Sequence, residues 1–198
     1  VTTSPKDVYL ALNKVFEHAG GRKRRQMRRA HEEVLAQHRE LADRRERERR
    51  RIMNGREYSS AERKRDEGIT SVMYGREEVL ANMYFRLVPH YGVARRVLEE
   101  TNSLLGRDTW KPKRVLEFGI GCGSASAAAL HTFKGIAWVH GVDPSETMRE
   151  GAEAFLKALT KEMEGTNSLR TTFSSHLSMQ ALSGSFDMVL CSYTAMEI

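Results

Sequence analysis

Residues 115–124 read Val-Leu-Glu-Phe-Gly-Ile-Gly-Cys-Gly-Ser, and this segment restricts the fold more than any other in the chain. Arg114–Phe118 has the length and apolar content of a buried strand. Gly119, Gly121 and Gly123 follow at every second position, and the alanine-rich stretch Ser124–Phe133 then has helical character. Glycines allow the main chain to turn sharply and a ligand to approach it closely. The helix behind them offers unsatisfied N–H groups and the positive end of its dipole. The same alternation continues downstream. Ile136–Val142 reads as a second strand ending at Asp143, and Glu146–Met163 as a helix with Met148, Ala152, Phe155, Leu156 and Leu159 on one side. Leu169–Phe173 is a weaker third strand and Phe186–Leu190 a fourth. Strands alternating with helices predict an α/β fold with a parallel, doubly wound sheet.

Twenty residues beyond Gly123, Asp143 closes the second strand, where a carboxylate can accept both ribose hydroxyls of a nucleoside. The dinucleotide fingerprint G-x-G-x-x-G fails here, because counting from Gly119 or Gly121 puts Ser124 or Ser126 at its last glycine. The segment instead reads E-x-G-x-G-x-G from Glu117. It resembles the first motif of the S-adenosylmethionine-dependent methyltransferases, and Val142-Asp143-Pro144-Ser145 resembles their second. The resemblance implies a Rossmann-like methyltransferase sheet whose first four strands are present. It also implies a cofactor site made by Glu117, Gly119, Gly121, Gly123 and Asp143, with Glu117 supporting the loop and the methionine end and Asp143 holding the ribose. Two other readings stay open: a Rossmann-like sheet that keeps the loop for folding without a ligand, and a nicotinamide or flavin site.

The first part of the chain differs in character. Residues 4–19 predict a short helix, capped by Ser4 and ended by Gly20, with Val8, Leu12, Val15 and Phe16 on one stripe. Residues 22–53 predict a long, solvated helix docked at its middle and free at its end. Its acid-first pairs Glu40–Arg44, Asp43–Arg47 and Glu46–Arg50 are spaced i, i+4. Residues 54–70 read as a linker and 71–105 as helical, with Pro89 expected to break the latter into two helices. Residues 106–112 form a loop. The expected organisation is a basic helical arm and linker over 1–70, a helical subdomain over 71–112, and the N-terminal half of the Rossmann-like domain over 113–198.

Charge separates these parts. The chain has 32 Lys and Arg against 26 Asp and Glu, a net of +6. Residues 21–70 hold 17 against 10, a net of +7, and the remainder 15 against 16, a net of −1. The excess is therefore confined to the candidate polyanion-binding part. Arg22, Lys23, Arg24, Arg25, Arg28 and Arg29, with Arg49, Arg50 and Arg51, are its candidate RNA contacts, since phosphate binding needs only cations along a track. The competing reading is a solvated charged helix. Few aromatics interleave with these arginines, so base-specific reading is not expected. No stretch approaches the ~20 apolar residues that span a bilayer, so no membrane partner is expected. Cys122 and Cys191 are too few for a disulfide framework or a four-thiolate metal site, and the seven histidines show no metal-ligand spacing. His31 and His38 are expected to be exposed, and Tyr84, Tyr91 and Trp138 to be core aromatics.

Two further stretches narrow the family. Leu80-Ala81-Asn82-Met83-Tyr84-Phe85-Arg86-Leu87-Val88-Pro89-His90-Tyr91 is followed by Arg96-Val97-Leu98-Glu99-Glu100. These resemble the helices before the glycine loop in the mitochondrial small-subunit ribosome-assembly family of methyltransferase-like proteins, the Rsm-twenty-two-like group. There an Arg-x-x-Pro-x-Tyr core and a Val-Leu-Glu helix precede the first motif. Phe186 to Ile198 is similar to that family's fourth strand and its Ser-x-x-x-x-Glu-aliphatic turn. The resemblance covers about residues 71–198.

It implies an assembly factor of the mitochondrial small ribosomal subunit in the matrix. Its partners would be that subunit's ribosomal RNA and proteins and other assembly factors. The alternative it allows is an active S-adenosylmethionine-dependent RNA or ribosomal-protein methyltransferase. Family members carry an iron–sulfur cluster on four cysteines placed mainly beyond the fourth strand; its ligands are not visible here, and neither cysteine is read as one. No catalytic base is assigned, because positioning dominates when a sulfonium leaves. An Asn/Asp-Pro-Pro-Tyr motif after the fourth strand is absent, Cys191-Ser192-Tyr193-Thr194 standing in its place. The chain starts at Val1, as a processed form or a fragment would. A fourth strand without a fifth beside it would leave backbone groups unpaired, so the chain is expected to continue or a partner to cover that edge.

Overall fold

A computed structural model describes residues 6–18, 24–54, 74–107, 109–163, 168–177 and 185–192. The elements in chain order are α1 (Lys6–His18), α2 (Arg24–Met53), α3 (Arg76–Asn82), a π turn (Met83–Leu87), α4 (Val88–Leu104), β1 (Arg114–Phe118), α5 (Ser124–Thr132), β2 (Trp138–Val142), α6 (Glu146–Glu162), β3 (Arg170–Ser174) and β4 (Met188–Cys191). The four strands are parallel in the order β3-β2-β1-β4. The chain therefore steps outward from β1 through β2 to β3 and then returns to the far side of β1, the reversal that marks a doubly wound sheet. This is the expected Rossmann-like α/β class. Ladder register pairs Glu117 with Gly141 and Phe118 with Val142, so the glycine loop and Asp143 leave the sheet at the same end.

Alternation along the strands sorts the two faces. Val115, Val139 and Met188 point to the helical side, where they share one core with Phe155, Leu156 and Leu159 of α6 and the alanines of α5. Val8, Ala11 and Leu12 of α1 belong to that same core, and Lys14 pairs with Glu162 at the end of α6. Asp7 Oδ2 lies 2.6 Å from His131 Nε2 and ties α1 to α5. On the opposite face, Arg114, Trp138 and Arg170 stand in register across three strands, with both guanidinium groups over the indole at 4.7 and 5.3 Å. His140 bonds Thr172 Oγ1 and Ser174 Oγ beside them.

Several expectations change. Pro89 does not break the helical path, which runs from Arg76 to Leu104. Proline removes a helical N–H and clashes with the carbonyl four residues back. That residue is Phe85, inside the wider π turn, and α4 restarts with Pro89 in its first turn. Val93 and Val97 face solvent, 52% and 57% exposed, because the side of α4 packed into the core carries Val88, Tyr91, Ala94 and Leu98. Tyr91 is a core aromatic; Trp138 is half-buried and Tyr84 is 41% exposed.

His31 and His38 are half-buried rather than exposed. They lie seven residues apart on the stripe of α2 that also carries Met27, Ala30 and Val34, and that stripe docks on α3 and the π turn. The His31 ring stacks on Phe85 at 4.8 Å, and His38 Nε2 lies 2.8 Å from Tyr74 Oη. The expected linker at 54–70 lies almost wholly outside the described residues.

Candidate functional site

The loop between β1 and α5 takes its shape from three left-handed glycines, with φ of 70° at Gly119, 50° at Gly121 and 83° at Gly123. The intervening side chains point inward: Ile120 and Cys122 are buried in the core below the loop. At Gly123 an added Cβ would sit 3.3 Å from Leu156, so the helix entry is closely packed. At Gly121 it would meet nothing within 4 Å. The turn is thus closed beneath and open above. Main-chain bonds from Gly119 and Ile120 to the Val142 carbonyl, at 2.7 and 3.1 Å, fasten the loop to the end of β2.

Two carboxylates flank this loop. Glu117, 1% exposed, accepts the Ser126 N–H at 2.8 Å and the Ser126 hydroxyl, so it braces the first turn of α5 from β1. Burial pushes its carboxyl up to about 8, against the opposing pull of those two bonds. Asp143 lies on the other side. Its Oδ2 accepts the Gly121 N–H and its Oδ1 the Ser145 N–H, both at 2.9 Å. Burial raises its carboxyl above the usual range, partly offset by the same two N–H groups. The bond to Ser145 closes an Asx turn, and Ser145 Oγ then caps α6 by accepting the Met148 N–H at 3.3 Å. Arg149 Nη1 donates to the Asp143 carbonyl at 2.6 Å and holds the turn from outside.

The structure thus gathers Glu117, Gly119, Gly121, Gly123 and Asp143 within one βαβ turn. The arrangement places a main-chain bend beside the two carboxylate oxygens of Asp143. The arginines are not gathered. Arg22 and Lys23 lie outside the described residues, and Arg24 opens α2. Arg25, Arg28 and Arg29 are exposed near its start and Arg49 and Arg50 near its end, some 20 residues or about 30 Å along the helix. Arg28 and Arg29 pair with Glu32 and Glu33 at 3.7 and 3.1 Å, and Arg50 with Glu46 at 2.8 Å. Arg51 departs from the rest: it is half-buried and pairs with Glu48.

Cys122 is buried beside Val79, Asn82 and Met148, its thiol pushed up to about 12 by burial. Cys191 is exposed at the end of β4. Among the described residues no group of three or more histidine, cysteine, aspartate or glutamate side chains is disposed to hold a metal, and none of their helices is long and apolar enough to cross a membrane.

Sequence reasoning missed Ser126, Thr147, Arg149 and Tyr74. The Asp-Pro-Ser run before an amphipathic helix was a legible signal for the Ser145 cap. Nothing in the sequence announced that Thr147 would reach the Tyr74 carbonyl across 73 residues.

Comparison with known proteins places this geometry in context. The family model described as mitochondrial small ribosomal subunit Rsm22 matches residues 76–198. Among solved structures, a proposed O-methyltransferase from Klebsiella pneumoniae is similar at 15% identity with a TM-score of 0.36, over 52% of this chain and 50% of that one. The chain thus spans about half the length of that protein. No curated protein matches the chain.

Proposed function

The chain belongs to the mitochondrial small ribosomal subunit Rsm22 family, and from that premise we propose a methyltransferase-like assembly factor of this subunit, working in the mitochondrial matrix. It contacts ribosomal RNA and proteins, together with other assembly factors, and keeps an S-adenosylmethionine-type pocket at its glycine loop. One observation carries the pocket. Each oxygen of the Asp143 carboxylate holds a single backbone bond, at Gly121 and at Ser145. A carboxylate oxygen accepts about two hydrogen bonds, so each keeps a lone pair for one ribose hydroxyl. A Cβ added at Gly121 would meet nothing within 4 Å, which supports the close approach of a ligand to the main chain there.

S-adenosylmethionine bound there would supply an electrophilic methyl group on a sulfonium. The residues of this chain bind and orient. Asp143 fixes the sugar, Gly119, Gly121 and Gly123 let the ligand approach the backbone, and Glu117 keeps α5 in place beneath. The exposed arginines Arg25, Arg28, Arg29, Arg49 and Arg50, with Arg22, Lys23, Arg24 and Arg51 beside them in sequence, supply the cations for RNA phosphates. An iron–sulfur cluster finds no support in Cys122 and Cys191.

Calorimetric titration of the full chain with S-adenosylmethionine tests the pocket. Binding that is lost in Asp143→Asn supports it, and no binding in the parent chain leaves a scaffold only. Transfer of a labelled methyl group to assembling small subunits would select the active-enzyme alternative over the assembly factor.

A further inference from the structure

We infer that filling the glycine-loop pocket and docking the basic helix α2 are a single coupled equilibrium, relayed by Tyr74; this rests on the nucleoside reading proposed above. Tyr74 is bonded at both ends. Its hydroxyl meets His38 Nε2 of α2 at 2.8 Å. Its backbone carbonyl accepts the Thr147 hydroxyl in the first turn of α6. From Thr147 the bonding continues without a gap. Thr147 Oγ1 lies 3.0 Å from Ser145 Oγ, and the Ser145 N–H donates to Asp143 Oδ1, whose other oxygen takes the Gly121 N–H.

The direction of the protons along this chain is determined. A hydroxyl has one proton. That of Thr147 goes to the Tyr74 carbonyl, which can only accept. The Ser145 hydroxyl must then donate to Thr147 Oγ1, while its lone pair receives the Met148 N–H. Turning either hydroxyl misaligns its partner, so the Tyr74 carbonyl, Thr147 and Ser145 are positioned together.

Packing runs alongside the bonds. α3 lies between α2 and the loop. Ala81 of α3 is buried against Met27 and Ala30 of α2. On the other side of the same helix lies Cys122 of the loop, its Sγ 4.0 Å from the Val79 carbonyl and 3.8 Å from Asn82 Oδ1. A ribose on Asp143 pins the carboxylate, the Asx turn and the start of α6. It thereby holds Thr147 against Tyr74 and presents the Tyr74 hydroxyl to His38. A ligand shifts such an equilibrium by the difference in its affinity for the two states, and coupling between sites is reciprocal. Tyr74 acts here as a positioning residue: it touches neither nucleoside nor RNA.

Hydrogen exchange of the α2 amides in the full chain, with and without saturating S-adenosylmethionine, tests this, alongside calorimetric affinity. The parent chain is expected to show α2 exchange slowed by roughly five-fold or more on binding. Tyr74→Phe keeps the carbonyl and removes only the hydroxyl. It should bind S-adenosylmethionine within about two-fold of the parent, yet lose the slowing in α2. Thr147→Val cuts the relay nearer the pocket and should lose it too; should that variant misfold, Tyr74→Phe decides. Binding without slowed exchange in the parent, or slowing that survives in Tyr74→Phe, overturns the inference while leaving the pocket intact. Absence of binding in the parent overturns the nucleoside reading and the coupling together.

Discussion

Asp143 Oδ2 accepts the backbone N–H of Gly121 at 2.9 Å, across 22 residues of sequence. The carboxylate is therefore part of the wall of the loop before any ligand arrives. Parallel pairing of β1 with β2 brings both residues to one end of the sheet, and Gly121, with a left-handed φ of 50°, points its N–H at the carboxylate. A side chain proposed to hold a ribose is thus also a fastener of the fold.

That double duty gives the first prediction. Asp143→Ala leaves two half-buried N–H groups without their acceptor; a fully buried group in that position costs about 1–3 kcal/mol, and partial exposure to water brings the loss toward the lower end. Chemical denaturation without ligand should show the loss. Asp143→Asn keeps one carbonyl acceptor and should lose less. Equal stability of Asp143→Ala and the parent would mean that the bond to Gly121 contributes nothing to the fold.

Glu117 makes stability depend on pH. Its folded-state carboxyl sits at about 8, pushed up by burial from an ordinary 4.5. Between those values the native chain holds a proton that the unfolded chain has released, so stability falls as pH rises. The contribution is complete below about pH 4.5 and lost as pH passes through about 8. Glu117→Gln keeps an oxygen that accepts both Ser126 bonds and removes the titration. Urea midpoints from pH 5 to 8 should fall in the parent relative to the variant, by at most roughly 1.4 kcal/mol per pH unit. Parallel curves would show that Glu117 is already ionised in the native chain.

What the sequence made legible follows the range of the forces. The glycine loop, the strands and α5 and α6 were readable because φ preferences, the two-residue and 3.6-residue periods and the Ser145 cap act within a few residues. Asp143 was readable because a carboxylate closing the second strand has a fixed place in the topology. For α2 the sequence indicated a helix docked at its middle, but not which residues make its docked face. Its stripe of Met27, Ala30, His31, Val34 and His38 mixes apolar residues with histidines, and only its contact with Phe85 and Tyr74 shows why. Pro89 misled for a related reason: the wider turn before it absorbs the clash, and no local signal marks a π turn.

The same docked face should respond to acid. Burial and the neighbouring Arg86 hold both His31 and His38 below the ordinary 6.5, with Glu32 opposing at His31. A depressed histidine contributes stability above its unfolded value that is lost as pH falls through the folded one. Protonation also places new cations beside Arg86. Amide exchange in α2 should therefore quicken, relative to α6, as pH drops from about 7.5 to about 5.5, after correction for intrinsic rates. His38→Gln should reduce the effect. Equal protection of α2 relative to α6 across that range would show that neither ring titrates in the docked state.

The arginines of α2 separate RNA contact from a merely solvated helix. Deleting residues 1–54 would remove α1 as well, and with it Val8, Ala11 and Leu12 from the main core, so weaker binding would be confounded with unfolding. Substituting Arg25, Arg28 and Arg29 by glutamine avoids this, because all three are exposed and the pairs of Arg28 and Arg29 with Glu32 and Glu33 lie at the surface. Exposed i, i+4 pairs contribute only about 0.3–0.5 kcal/mol each, so the melting temperature should hardly move. Affinity for small-subunit ribosomal RNA should fall, and the slope of log affinity against log salt should decrease by about 0.7–0.9 for each phosphate that the variant no longer neutralises. An unchanged slope would assign these arginines to the solvent and remove α2 from the RNA interface.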